Sequence, residues 1–182
     1  FRGTDFTSFG DWYSNTRWLT RINPLTWDQY QQARDLTEKL VARIEQLYGS
    51  GIEIIAVGHS LGGGLAQQAA YTSNRINTVY AFNTSPVTGA TSIDYRVTPE
   101  ARKGVKIYRI YESGEVLAGL RWSSRRVLPL SAENPRITEI RLNFRSTRRK
   151  GEAGTGIVGQ HAMKQVACDL VCHVTEKRPH SE

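Results

Sequence analysis

The stretch that decides the fold is residues 52–66, which read IEIIAVGHSLGGGLA. Its first six residues are mostly apolar and β-branched, a composition typical of a strand that is buried on both faces. The apolar positions then resume at a helical spacing, at Leu65, Ala66, Ala69 and Ala70. The sequence therefore predicts a strand, a sharp turn and a helix, with Ser60 at the turn.

This turn matches the pattern G-x-S-x-G, in which a serine held in a strained strand-to-helix turn acts as a nucleophile. Gly58 and Gly62 are the small residues two positions before and after Ser60. The helix that follows would point its free N–H groups and positive dipole end at whatever the serine attacks. A Gly/Ser-rich connection without chemistry is the alternative, and the strand and Ala-rich helix on either side favour the nucleophile.

Length and composition predict one globular domain over residues 1–182, with 39% hydrophobic residues and no apolar run long enough to span a membrane. We therefore expect a soluble protein, secreted or acting at a membrane surface, and the compartment stays open. Strand-like runs at 52–57, 76–82, 105–111 and 136–142 alternate with helical patterns. This alternation predicts an α/β fold with a mostly parallel central sheet flanked by helices.

A capping box at Thr26 to Gln29 predicts the start of the first long helix, and Gly49 predicts its end. The preceding segment, residues 4–25, is rich in aromatic side chains without a clean period, among them Trp12 and Trp18. Two interpretations stay open for this segment. Its rings either fill the core, or they form a mobile lid that covers an apolar site and then contacts lipid.

A serine hydroxyl needs a nearby base to take its proton, and the chain offers four histidines. His59 is adjacent to the serine, where neighbouring side chains diverge, and His180 lies in the polar tail. His173 lies roughly 18 Å from His161 along one predicted helix at ~1.5 Å per residue, so both cannot serve one site. His161 follows a Gly-rich loop and is the predicted base.

The histidine in turn needs an acid, which in α/β-hydrolase chain order lies between the serine and the histidine. Glu115 is the favoured candidate because it follows a strand and a Gly-containing turn. Glu112, which could instead be a solvated charge at the strand end, and Asp94 remain as alternatives. For the oxyanion hole, the predicted donors are the N–H groups of Leu61, at the helix start, and Thr4, in a loop.

Cys168 and Cys172 lie four apart in a predicted helix, a spacing that does not suit a disulfide, so we expect free, buried thiols. With His173 they still lack a complete tetrahedral set of ligands. We therefore expect neither a metal nor a cofactor.

Several motifs resemble the class 3 lipase family: FRGT at 1–4 with Asp11 and Trp12 downstream, VGHSLGGGLA at 57–66, YAFNTSPVTG at 80–89, and YRI at 108–110 leading to Glu115 and Val116. The resemblance covers residues 1 to about 170. It implies an α/β-hydrolase fold acting on acylglycerols or phospholipids, with a lid after Thr4. It also implies the roles of the matching residues: nucleophile Ser60, acid Glu115, base His161 and oxyanion donors Thr4 and Leu61.

The chain departs from that family at two places. Glu115 stands where an aspartate is usual, and Asn83 and Thr84 stand where a glycine is common. The family also has a helix and strands before FRGT, which this chain lacks. We therefore expect it to be part of a longer polypeptide or to pair with a companion chain.

The whole net charge of +7 lies in residues 121–150, which hold nine basic and two acidic side chains. This basic segment is either a solvated face, a surface for anionic lipid headgroups, or the site of an acidic protein partner. Nucleic acid is disfavoured because no reader motif accompanies the charge.

These observations predict a serine carboxylic-ester hydrolase that acts on lipids through an acyl-enzyme. The alternatives are a hydrolase-fold binding protein that has lost turnover, and a bacterial lipase toxin neutralised by an acidic inhibitor protein.

Overall fold

The computed structural model describes residues 24–84, 103–112, 136–142, 166–168 and 170–171, and for residues 24–31 it describes the backbone alone. Its elements in chain order are α1 (Pro24–Tyr48), β1 (Ile54–His59), α2 (Leu61–Thr72), β2 (Ile76–Phe82), β3 (Lys106–Glu112) and β4 (Arg136–Leu142). The strands form one sheet in the order β1-β2-β3-β4, and every neighbouring pair is parallel. The predicted α/β fold, with a parallel sheet and flanking helices, is confirmed.

The first helix begins earlier than the capping box predicted. It starts at Pro24, so Thr26 lies within the first turn and is not the cap, and that prediction is wrong. Proline suits the first helical position because its φ is already helical and its missing N–H would have had no partner there. The predicted end is confirmed, since Gly49 has φ 85° and its N–H donates to the Glu45 carbonyl at 2.8 Å.

The core lies between α2 and one face of the sheet. Alanines on α2 allow the helix to approach β1 and β2 closely, and the side chains beneath it are fully or nearly fully buried. This core cluster comprises Val41, Ala56, Ala66, Ala69, Ala70, Tyr71, Ile76, Val79, Ala81, Val105 and Ile107. The α1 helix packs on α2 from outside and contributes Val41. The α2 helix, which follows Ser60, is therefore fixed against the sheet.

The opposite face of β1 differs from the prediction. Ile55 and Val57 are 44% and 45% exposed, so β1 is not buried on both faces. Successive side chains of a strand point to opposite sides of the sheet, and α2 covers only the side that carries Ala56. On the uncovered side, Tyr80 and Tyr108 are register partners and stack with ring centroids 5.2 Å apart.

Residues 1–23 lie outside the described residues, so the predicted lid over 4–25 stays a prediction, apart from its last two positions, which belong to α1. Within the described residues, no helix is both long and apolar enough to cross a bilayer.

Candidate active site

Three strand ends meet at one edge of the sheet, and backbone hydrogen bonds hold them in register. The Ser60 N–H donates to the Phe82 carbonyl at 3.0 Å, which joins the end of β1 to β2. The Asn83 N–H donates to the Ile110 carbonyl at 2.8 Å, and the Glu112 N–H donates to Asn83 Oδ1 at 3.1 Å. Because the strands are parallel, their carboxyl ends form the usual ligand-binding edge of an α/β sheet.

Ser60 occupies the strained turn that the sequence predicted. Its φ of 55° and ψ of −122° lie in a region that side-chain-bearing residues rarely adopt. Such a conformation costs on the order of 1–3 kcal/mol and persists only where the surroundings enforce it. The side chain of Ser60 makes no capping bond to α2 and is completely buried, so the helix does not use the hydroxyl as a cap.

Close backbone contact across this turn explains the flanking glycines. A Cβ added to Gly58 would lie 2.0 Å from the Gly62 carbonyl oxygen, 2.4 Å from its carbon and 2.8 Å from the Gly63 nitrogen. All three atoms are backbone, so no side-chain rotation relieves the overlap. The turn can hold Ser60 in place only if position 58 lacks a side chain.

The start of α2 at Leu61 leaves its first N–H groups without intrahelical acceptors. The first turn of α2 holds no acidic side chain. Among the described residues, the Gly63 N–H of this turn donates to the Ser60 carbonyl at 3.1 Å. A helix that starts directly after Ser60 brings such N–H groups close to the serine, and the oxyanion role of Leu61 stays a prediction.

Glu112 is the described acidic residue nearest to this edge. It is only 1% exposed, so the interpretation of Glu112 as a solvated charge is wrong. The end of β3 is covered in the fold, which the sequence of a single strand cannot reveal. A buried carboxylate at the end of the strand two away from Ser60 is chemically suited to supporting a histidine.

The sequence analysis missed a polar group behind the turn. Gln67, on α2, is completely buried and contacts Gly63, Thr84 and Arg109 through its amide. The sequence signals were a glutamine within an Ala-rich helix and an arginine at an inward position of β3. Neither residue type predicts the other, because their contact depends on how α2 lies over the sheet.

Several predicted site residues lie outside the described residues, namely Thr4, Trp12, Trp18, Glu115 and His161. Asp94 does as well. Their proposed roles stay predictions. Within the described residues, no three His, Cys, Asp or Glu side chains are grouped as metal ligands. Cys168 is free but exposed, so the expectation that its thiol is buried is wrong.

The chain matches one known protein family over most of its length. Residues 1–133 match a phospholipase-like family described as the Tle-like phospholipase domain. The chain belongs to this family. No curated protein and no solved structure matches it.

The matched range of this Tle-like phospholipase domain contains α1, the Ser60 turn and strands β1 to β3. It ends before β4 and before His161. Membership supports a lipid-ester hydrolase of the phospholipase and lipase kind, and not specifically a class 3 lipase.

Proposed function

We propose that the protein hydrolyses carboxylic esters of phospholipids through an acyl-enzyme formed on Ser60. One observation carries the proposal: in a chain of a phospholipase family, Ser60 occupies a strained turn between a parallel strand and the start of a helix. That context is what distinguishes a nucleophilic G-x-S-x-G from a chance match.

In the proposed reaction, Ser60 Oγ attacks the ester carbonyl carbon while His161 takes the hydroxyl proton. The N–H groups of Leu61 and Thr4 stabilise the negative oxygen of the tetrahedral intermediate. The intermediate collapses to the acyl-enzyme, and the alcohol leaves with the proton from His161. Water, deprotonated by His161, then attacks the acyl carbon, and the fatty acid is released with Ser60 restored.

Glu115 is the proposed partner of His161, on the basis of its resemblance to the acid of class 3 lipases. Glu112 is the competing acid, and a specific observation supports it. It is buried at the end of β3, where its N–H is bonded to the Asn83 side chain. The two carboxylates are only three residues apart, so both can approach the same edge of the sheet.

For the substrate, we propose a lipid surface that carries anionic headgroups. The support is the basic segment, of which β4 presents an exposed Arg141 near its carboxyl end, whereas the exposed Arg136 lies at the opposite end of the strand. The Arg141 guanidinium lies 5.8 Å from the ring centroid of Tyr111, which keeps the cation near the sheet. Clustered cations near an anionic surface contribute about 1 kcal/mol each. An acidic inhibitor protein remains a second proposed partner for the basic segment. Separately, Trp12 and Trp18 are proposed to line a lid over the acyl chain.

The test compares wild type with Ser60→Ala on vesicles of phosphatidylglycerol and of phosphatidylethanolamine, with fluorophosphonate labelling in parallel. We expect Ser60→Ala to lose both fatty-acid release and labelling, and we expect faster release from phosphatidylglycerol. Ser73→Ala is the matched control, since Ser73 is a buried serine at the other end of the same helix. A wild type that binds vesicles without being labelled would instead indicate a hydrolase-fold binding protein.

A further inference from the structure

A completely buried amide joins α2 to the loop after β2 and to β3. Gln67 Nε2 donates to the Gly63 carbonyl at 3.1 Å and to Thr84 Oγ1 at 3.4 Å. Its Oε1 accepts from Arg109 Nε at 3.2 Å and from Arg109 Nη2 at 2.9 Å. One side chain therefore contacts the first turn of α2, the loop after β2 and the middle of β3.

Arg109 determines which way this amide points. A guanidinium has donors only, so the amide atom that faces it must be the oxygen. The amide nitrogen is then left to face Gly63 and Thr84, where two acceptor oxygens lie. Bonds from a charged donor are stronger than those between neutral groups, and two of them share this oxygen. The orientation of Gln67 is thus set from β3.

The fold makes room for this contact. Arg109 is opposite Ala81 on β2 and Glu139 on β4 in the parallel register. The small side chain of Ala81 leaves space over the sheet, through which the half-buried Arg109 reaches α2. An arginine in the interior of a sheet face is costly to desolvate unless it is well bonded. The two bonds that Arg109 donates to Gln67 Oε1 offset part of this desolvation cost.

Gly63 and Thr84 connect the amide to the serine. A Cβ at Gly63 would lie 2.8 Å from Thr84 Oγ1, so the helix start and the loop after β2 are in direct contact. The Gly63 N–H also donates to the Ser60 carbonyl at 3.1 Å. A continuous set of bonds therefore runs from Arg109 through Gln67 and Gly63 to Ser60.

We propose that Gln67 and Arg109 are positioning residues that set where the first turn of α2 lies relative to the strand ends. They would thereby set the positions of Ser60 Oγ and the Leu61 N–H at the moment of attack. Neither residue is proposed to touch the substrate. The proposal rests on the proposed function, because positioning matters only if Ser60 reacts.

The test measures kcat and KM on a soluble short-chain ester, the rate constant of fluorophosphonate labelling, and Tm. We expect Gln67→Met and Arg109→Met each to lower kcat and the labelling rate about tenfold, the value of one well-placed hydrogen bond at a transition state, with KM little changed. The double variant should be about as slow as either single variant, because the two residues act through one contact.

Two further variants separate positioning from simple anchoring. Gln67→Glu keeps an acceptor for Arg109 but loses the donor to Gly63 and Thr84. It should therefore lose labelling rate although the bond from Arg109 remains, and Tm should also fall because a buried carboxylate oxygen then faces the Gly63 carbonyl oxygen. Arg109→Lys retains a charged donor and should recover part of the rate lost in Arg109→Met.

Arg75→Met is the matched control for stability. Arg75 pairs with Glu45 and donates to the Ser50 and Ile52 carbonyls, away from the strand ends. It should lower Tm without changing the labelling rate.

The positioning role would be overturned if Gln67→Met and Arg109→Met were labelled within about twofold of the wild-type rate. A twofold change corresponds to less than half the free-energy change expected for one hydrogen bond. The proposed function would remain intact. If Gln67→Met does not fold, Arg109→Met and Arg109→Lys test the same role from a half-buried position. A wild type that is never labelled would overturn the proposed function, and the positioning role with it.

Discussion

Replacing Gly58 with alanine places a methyl group inside the backbone of the Ser60 turn. The added carbon would lie 2.0 Å from the Gly62 carbonyl oxygen and 2.4 Å from the Gly62 carbonyl carbon. Favourable contacts between such atoms begin at about 3.5 Å, so the strand end and the helix start must separate by about 1 Å or more. Because both sides of the contact are backbone, this movement displaces the turn as a unit.

Two effects of different size follow from that displacement. Overpacking a filled interior costs typically about 1–3 kcal/mol, and the rigid backbone here favours the upper end. A shift of about 1 Å in a reacting group can reduce the rate about a hundredfold. We therefore expect Gly58→Ala to lose activity out of proportion to its loss of stability.

The assay pairs thermal unfolding with the rate of fluorophosphonate labelling. Gly51→Ala is the matched control, because a Cβ at Gly51 meets no atom within 4 Å and the residue lacks a positive φ. It should leave both quantities near the wild-type values. Wild-type Tm and labelling in Gly58→Ala would refute the claim that close contact at this glycine holds the serine in place.

Two other predictions concern the end of α1 and the triad acid. Gly49→Ala should lower the free energy of unfolding by about 1 kcal/mol, because Gly49 has φ 85° and closes α1. Urea denaturation measures this change, and an unchanged midpoint would contradict the role of Gly49. Comparison of Glu115→Gln with Glu112→Gln should show the larger fall in kcat for Glu115→Gln, by about a thousandfold or more if it orients the base. The reverse order would assign the acid to Glu112.

Much of the fold could be predicted because each element has its own local pattern. The alternating run Arg136–Leu142 became β4 with the predicted bounds, and the apolar run Ile76–Phe82 became β2 in the same way. The strained turn was also predictable, since a strand before G-x-S-x-G and a helix after it favour the sharp turn over an ordinary Gly/Ser-rich connection.

The errors arose where a local pattern depends on distant neighbours or on competing signals. The β1 sequence is apolar on both sides, but its own residues do not tell which side another element covers. Thr26 fits a capping box, yet Pro24 is equally suited to the first helical turn and the helix begins there. Local pattern alone could not decide between them.

Burial and pairing of polar residues were the least predictable features of the site. Glu112 follows an alternating strand and resembles a solvated end residue, but the fold covers it. Gln67 and Arg109 are 42 positions apart, and only the placement of α2 over β3 brings them together. Such contacts are set by tertiary packing, for which one sequence has no local signal.

The most direct measurement is the site of fluorophosphonate attachment, read by mass spectrometry and followed alongside phospholipid hydrolysis. Trypsin should release Ser60 in the peptide spanning residues 44–75, which also contains Ser50 and Ser73 as internal controls. We predict one adduct, on Ser60, with fatty-acid release lost in step with its formation and absent from Ser60→Ala. An adduct on another residue, or hydrolysis that persists in Ser60→Ala, would contradict the proposal that Ser60 is the nucleophile.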